Sequence, residues 1–245
     1  MPNHFLTLIL LLSLLFSSCY PNDKEQPDIN SGLVALIRLD GNAIEEKLGI
    51  TGKNHNATAT NNRYGETGKA MFFNRTDSAH ITFGDLENLS FTDNIFTISF
   101  WVKVNDTTNK IAVLSKRAPF GPFEYSIDNF FGKNIFAFDN WKAPGGPTVY
   151  GIDPMKATAQ IELDKWQHFV FVGTGNVVKV YLNGVLQSGM DLHNANNFFD
   201  NTEASFEVGN GGGWGSNHYF YGCIDDIYIF KRALDDEAIK FLANM

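Results

Sequence analysis

The 245 residues hold few groups spaced for catalysis. Six histidines, His4, His55, His80, His168, His193 and His218, are scattered, and none stands in a His-Glu-x-x-His or other dense ligand spacing. Two cysteines are too few for a disulfide scaffold or a four-ligand zinc site. Cys223 has no basic residue within four positions on either side, so it reads as a small strand residue rather than a nucleophile. Gly209–Gly215 (G-N-G-G-G-W-G) is glycine-rich, but no helix follows whose N-terminus would hold a phosphate. What remains is recognition chemistry. Trp141 sits in F-D-N-W-K-A-P-G-G-P and Trp214 in G-N-G-G-G-W-G-S-N-H-Y, two polar segments each centred on one indole. An aromatic ring stacks on the apolar C–H face of a sugar while amides and carboxylates read its hydroxyls. Asp139, Asn140, Asn210, Asn217 and Tyr219 are placed to supply that polar part. The alternative for each indole is to fold down over a sheet edge. Asp225 and Asp226 are consecutive in an apolar run, so strand alternation sends their side chains to opposite faces. A buried one needs a counter-charge or hydrogen-bond donors.

Short strands must position these groups. Phe96, Ile98, Phe100, Val102 and Val104 alternate with Thr97, Ser99, Trp101 and Lys103, the period of a half-buried strand. Trp101 on that second face lies on a curved sheet surface or under a crossing loop. The same period predicts strands over 33–39, 70–73, 80–83, 111–116, 123–127, 135–138, 166–173, 177–182, 206–208 and 220–230. Asn183-Gly184 is a tight hairpin turn, since both residues tolerate positive φ. Only 235–244 reads as helix, capped by Asp235, with Ala238, Phe241 and Leu242 as an apolar stripe. The expected fold is all-β: a two-sheet antiparallel sandwich of jelly-roll type, with one short C-terminal helix as a plug.

The first thirty residues read as an address. Phe5–Phe16 is a twelve-residue apolar run, about 18 Å as a helix against ~30 Å of bilayer hydrocarbon, so it suits a secretory signal and not a span. Ser17, Ser18 and then Cys19 have the pattern of a bacterial lipoprotein signal, in which Cys19 becomes the lipidated first residue. Met1–His4 lacks Lys or Arg and Phe16 replaces the usual leucine, so an ordinary cleaved signal is the alternative. The expected organisation is a signal over 1–18, a solvated tether over 19–31 and one domain over 32–245. The product would be held at the cell envelope, at the outer membrane or surface of a Gram-negative bacterium, by its lipid and not by insertion. Aromatic residues make up 14% of the chain and charged residues only 19%, which excludes disorder. The net charge of −8 argues against nucleic acid as partner.

Six segments then carry a resemblance: L-V-A-L-I-R-L-D-G-N (33–42), A-M-F-F-N-R-T-D-S-A-H-I (70–81), F-T-I-S-F-W-V (96–102), W-Q-H-F-V-F-V (166–172), V-V-K-V-Y-L-N-G (177–184) and G-C-I-D-D-I-Y-I-F-K-R-A-L (222–234). In this order and spacing the chain resembles the laminin-G-like, concanavalin A-like lectin/glucanase domain of bacterial secreted proteins, over about 32–243. The resemblance implies a jelly roll with one curved face, and function only loosely, because relatives bind glycans, bind proteins or act as spacers. Glucanases of that superfamily carry Glu-x-Asp-x-x-Glu. The nearest match here, Glu162-Leu163-Asp164-Lys165-Trp166-Gln167, ends in an amide that cannot cycle a proton, so it reads as a polar turn and no enzyme is expected. The resemblance further implies a structural calcium ion on Asp225, with Asp40 and Asn42 as weaker contributors. The functional expectation is a non-catalytic, lipid-anchored protein binding an extracellular glycan through Trp141, Trp214, Tyr219, Asn210 and Asn217. The alternative is an envelope protein-interaction module, favoured by an apolar patch of Phe120, Phe123, Phe130 and Phe131.

Overall fold

The computed structural model describes residues 26–117, 123–129, 134–139, 158–191, 203–211 and 218–245. Trp141, Trp214, Asn140, Asn217, Phe120, Phe130, Phe131 and the lipidation candidate Cys19 lie outside the described residues, as do the side chains of Phe123 and Asp139.

The strands are β1 (Leu33–Ile37), β2 (Ile44–Glu45), β3 (Ile50–Thr51), β4 (Lys53–His55), β5 (Thr58–Thr60), β6 (Ala70–Phe73), β7 (His80–Thr82), β8 (Ile95–Val104), β9 (Ala112–Arg117), β10 (Phe123–Asn129), β11 (Ile135–Asp139), β12 (Thr158–Gln160), β13 (Trp166–Thr174), β14 (Val177–Leu182), β15 (Val185–Asp191), β16 (Phe206–Val208) and β17 (Gly222–Phe230), followed by α1 (Asp236–Ala243). They form an eight-stranded sheet ordered β15-β14-β13-β8-β17-β6-β5 with β1 also on β17, a seven-stranded sheet ordered β12-β11-β10-β9-β16-β7-β4, and a β2–β3 ribbon. The pairings are antiparallel. This is the expected all-β sandwich.

The strands form because period-two apolar positions from both sheets meet in one core. Phe96, Ile98 and Phe100 of β8 are fully buried. Phe100 packs on Phe169 and Phe171 of its own sheet at ring separations of 6.0 and 6.3 Å, and edge-on to Phe136 of the other at 6.5 Å. Such rings contribute through area, roughly 2–3 kcal/mol each on full burial, and through offset geometry. Asn183 and Gly184 take φ of 49° and 76°, the positive values a two-residue hairpin between β14 and β15 requires.

The half-buried reading of β8 needs correction. Thr97 and Ser99, on its polar side, are also fully buried. The chain entering α1 covers Thr97, whose Oγ1 donates to Arg232 O at 2.8 Å and accepts from Leu234 N at 3.0 Å, while Ser99 Oγ lies 2.7 Å from His168 Nε2. α1 is capped by Asp235, whose side chain accepts from Ala238 N at 2.8 Å. Its Ala238, Ile239 and Leu242 close a second apolar cluster with Val170, Val172, Tyr181, Tyr228 and Phe230 on the outer face of the eight-stranded sheet. Phe241 is only partly buried, so Ile239 takes the place expected for it in the stripe.

Candidate functional site

The other outer face, that of the seven-stranded sheet, has no helix over it among the described residues. Register places Lys53, Thr82, Glu207, Ser115, Ser126 and Asp139 in one row across six strands. Their neighbours Ile81, Phe206, Val208, Leu114 and Ile127 point into the core. Alternation therefore gives this sheet one apolar face and one polar face.

Asn210 organises the middle of the row. Its backbone carbonyl accepts from Ser115 Oγ at 2.8 Å, and its Nδ2 donates to Glu207 Oε2 at 2.8 Å. Its Oδ1 accepts from His218 N at 3.2 Å, while His218 O accepts from Ala112 N at 2.9 Å. Gly211 lies so close that a Cβ would stand 2.3 Å from Ala112 Cβ. Gly209, at φ +79°, presses on the Phe73 ring, where a Cβ would come within 2.4 Å. These glycines are thus packing devices, and both ends of the Trp214 segment are pinned above β9. Asn210 is 5% exposed, so its amide is committed to this scaffold rather than presented to a ligand.

Half-buried groups open to solvent lie toward β7 and β4. The His55 and His80 rings stack at 4.3 Å with 2° between planes, and the Tyr219 ring leans on His80 at 5.5 Å. His80 Nδ1 lies 2.7 Å from Ser78 O. Burial lowers the His55 pKa, aided by His80 and Lys53. Burial raises that of Glu207, against Asn210 and His80. Burial with Lys110 and Arg117 nearby takes His218 down to about 4, so it is neutral. Beside the row, Asp128 Oδ2 accepts from Ser126 Oγ at 3.2 Å and pairs with Lys110 at 3.3 Å. The arrangement offers acceptors, donors and ring edges without an activated nucleophile, a combination for binding polar ligands. Tyr219 is thus placed at the site and Asn210 beneath it. Glu207, Thr82, His80 and His55 were not singled out from the sequence, although the alternation of Phe206-Glu207-Val208 and His80-Ile81-Thr82 marks them.

Asp225 and Asp226 do not point to opposite faces. The β17–β8 register slips between Asp225 and Tyr228, and Asp226 takes φ of 47°. That bulge swings both carboxylates onto one guanidinium: Arg63 Nη1 lies 3.0 Å from Asp225 Oδ2 and 2.9 Å from Asp226 Oδ2. Arg63 in turn lies over Trp101 at 4.6 Å and Tyr64 at 4.7 Å, so a crossing loop does cover Trp101. Burial raises the Asp225 pKa and Asp226 adds to it, Arg63 opposes, and Asp40 adds again. Asp40 itself pairs with Lys69 at 3.0 Å. Asn42 spends its side chain on its own turn, accepting from Ile44 N at 3.0 Å and donating to Asp40 O at 3.2 Å. These residues do not fit calcium as they stand. A divalent ion ~4 Å from the guanidinium would meet about 8 kcal/mol of repulsion at an effective dielectric near 20. Among the described residues no group of three or more His, Cys, Asp or Glu side chains is placed to hold a metal.

Two further sequence features settle into structural roles. Gln167 Oε1 accepts from Glu162 N at 2.7 Å, its Nε2 reaches Gln160 O at 3.2 Å, and Asp164 takes φ of 59°, which makes Glu162–Gln167 the turn into β13. Burial pushes the Cys223 thiol up, away from thiolate chemistry.

The fold is shared with solved proteins. Domain 4 of AbnA, a GH43 extracellular arabinanase from Geobacillus stearothermophilus, in complex with arabinotriose, is similar at a TM-score of 0.63 and 22% identity, over 86% of this chain and 98% of that one. The binding domain of botulinum neurotoxin DC in complex with rat synaptotagmin II gives 0.62 and 15%, over 88% of this chain and 52% of that one. The binding domain of Paraclostridial Mosquitocidal Protein 1 gives 0.64 and 15%, over 87% and 52%. This chain therefore spans about half the length of those toxin domains. No curated protein sequence matches it significantly. Residues 75–240, more than half of the chain, match the family described as the concanavalin A-like lectin/glucanases superfamily. Two antiparallel sheets, one polar outer face and that match lead to one conclusion: the chain belongs to the concanavalin A-like lectin/glucanases superfamily.

Proposed function

We propose that this protein is a non-catalytic, glycan-binding domain carried by an exported cell-envelope lipoprotein, and that the glycan lies on the outer face of the seven-stranded sheet. The observation that carries the reading is the open, polar end of that face. Thr82 and Glu207 sit in its row, with the His55–His80 stack and Tyr219 beside them. The arabinotriose held by the Geobacillus arabinanase domain supports a sugar as the ligand class. The Trp214 segment, anchored at Gly211 and His218 on the same face, would add a stacking ring. Cys19 would carry the lipid.

A glycan array probed with the soluble chain tests the binding. The expected result is one glycan class bound, with affinity lost on Tyr219→Ala or Trp214→Ala. Silence from folded protein would sink the reading. The anchor is tested by mass spectrometry of the membrane-extracted protein, where lipid on Cys19, abolished by Cys19→Ser, is expected. The second reading, a protein-interaction module, draws on the neurotoxin domain in complex with synaptotagmin. A stoichiometric envelope partner recovered from an array-silent protein would favour it.

A further inference from the structure

Consecutive strand residues rarely share one partner, and here two do. Asp225 is 2% exposed in its side chain and Asp226 20%, so neither carboxylate is neutralised by water alone. We propose that Arg63 is the resident counter-cation of the Asp225 and Asp226 carboxylate pair, standing where a divalent ion would otherwise be needed, so that this fold holds without calcium.

Three features of the cluster carry this. The first is the bulge. Asp226 adopts left-handed backbone, an unfavourable place for a non-glycine residue, and its N–H donates to Arg38 O at 3.2 Å. This turn brings its carboxylate to the same Nη1 that Asp225 uses. The second is the setting of the guanidinium. It is 8% exposed and stacked between Tyr64 and Trp101, an environment that suits planar, weakly hydrated arginine and not a hydrated metal ion. The third is that the neighbouring bases are engaged elsewhere. Lys69 Nζ stands 3.0 Å from Asp40 Oδ2, and Arg38, engaged by Glu46 at 3.2 Å, reaches Asp226 Oδ1 only at 4.0 Å, so Arg63 is the base shared at close range by Asp225 and Asp226.

The test is thermal unfolding of the full chain and its variants in millimolar calcium and in chelator. The unaltered chain is expected to melt at the same temperature in both. Arg63→Met keeps the aliphatic length over Trp101 and removes the charge. Its Tm is expected to drop by several degrees in chelator and to recover in part with calcium. Arg63→Lys, which keeps a charge without the fork, should fall between. If Arg63→Met does not fold, the double variant Arg63→Met/Asp225→Asn decides, because it removes the buried unpaired charge and is expected to fold and melt without regard to calcium. A chelator-sensitive melt of the unaltered chain would overturn the proposal. So would an Arg63→Met Tm that matches the unaltered chain or ignores calcium, or a double variant no more stable than Arg63→Met alone.

Discussion

The two outer faces of this sandwich are built from the same alternation and end differently. On the eight-stranded sheet the outward residues Val170, Val172, Tyr181, Tyr228 and Phe230 are apolar, and α1 closes over them. On the seven-stranded sheet the outward row is Thr82, Glu207, Ser115 and Ser126, and among the described residues the Asn210–Gly211 corner and His218–Tyr219 lie over it. The residues of each face thus select their cover. Apolar side chains draw a helix, because burying them releases ordered water. Hydroxyls and a carboxylate stay near solvent or take backbone partners, because burial without them is costly. The covered face serves stability, and the other keeps half-buried polar groups at its β7 and β4 end.

The largest effect should come from breaking the covered face. Ile239 is fully buried under α1, and Ile239→Ala is expected to cost ~2–5 kcal/mol in urea unfolding. Glycan affinity of the protein that remains folded should be unchanged. The reverse dissociation is expected on the open face. Tyr219→Ala or Glu207→Gln should weaken glycan binding at least tenfold, about 1.4 kcal/mol, by titration calorimetry. Neither should change the unfolding free energy by more than ~0.5 kcal/mol, and the amide in Glu207→Gln keeps an acceptor for Asn210. An equal loss of stability and binding would erase the division between the faces.

A pH titration sharpens the comparison. On the covered side of β13, His168 is 1% exposed, Ser99 Oγ lies 2.7 Å from its Nε2, and its Nδ1 is buried without a hydrogen-bond partner. Burial, with Arg63 nearby, lowers its pKa to about 3, so the fold holds it neutral. The unfolded chain takes up a proton near 6.5 that the folded chain refuses. The contribution is therefore complete above 6.5 and is lost as pH falls from 6.5 toward 3, at up to about 1.4 kcal/mol per pH unit per group. His218, on the open side, acts in the same direction toward about 4. Urea midpoints between neutral pH and mild acid should show this slope, flattened in His168→Gln. A flat profile in the unaltered chain would show that both imidazoles are solvated. The smallest effect is expected at the helix cap: Asp235→Ala should cost ~1 kcal/mol by removing the acceptor for Ala238 N.

Much of the scaffold was legible as alternation. The expected strand over 70–73 coincides with β6, 177–182 with β14 and 206–208 with β16. Asn183-Gly184 and the Asp235 cap were readable because their chemistry is local. β4, β5 and β12 were not read from the sequence. They are three-residue strands of mostly polar composition, held by pairing with β7, β6 and β11 rather than by their own pattern. The site divides in the same way. Tyr219 was found by its type, while Glu207 and His80 became visible only when β16 and β7 were laid side by side.

By itself the sequence determined the fold class, most of the strands long enough to alternate and the capped helix. Each of these depends on neighbours a few residues apart. Only the tertiary structure decided which polar residues share a face. It also paired Arg63 with Asp225 across 162 positions of chain, and turned two consecutive carboxylates to one side through a bulge. Those outcomes depend on register between distant strands, and a one-residue slip there sends every side chain to the opposite face.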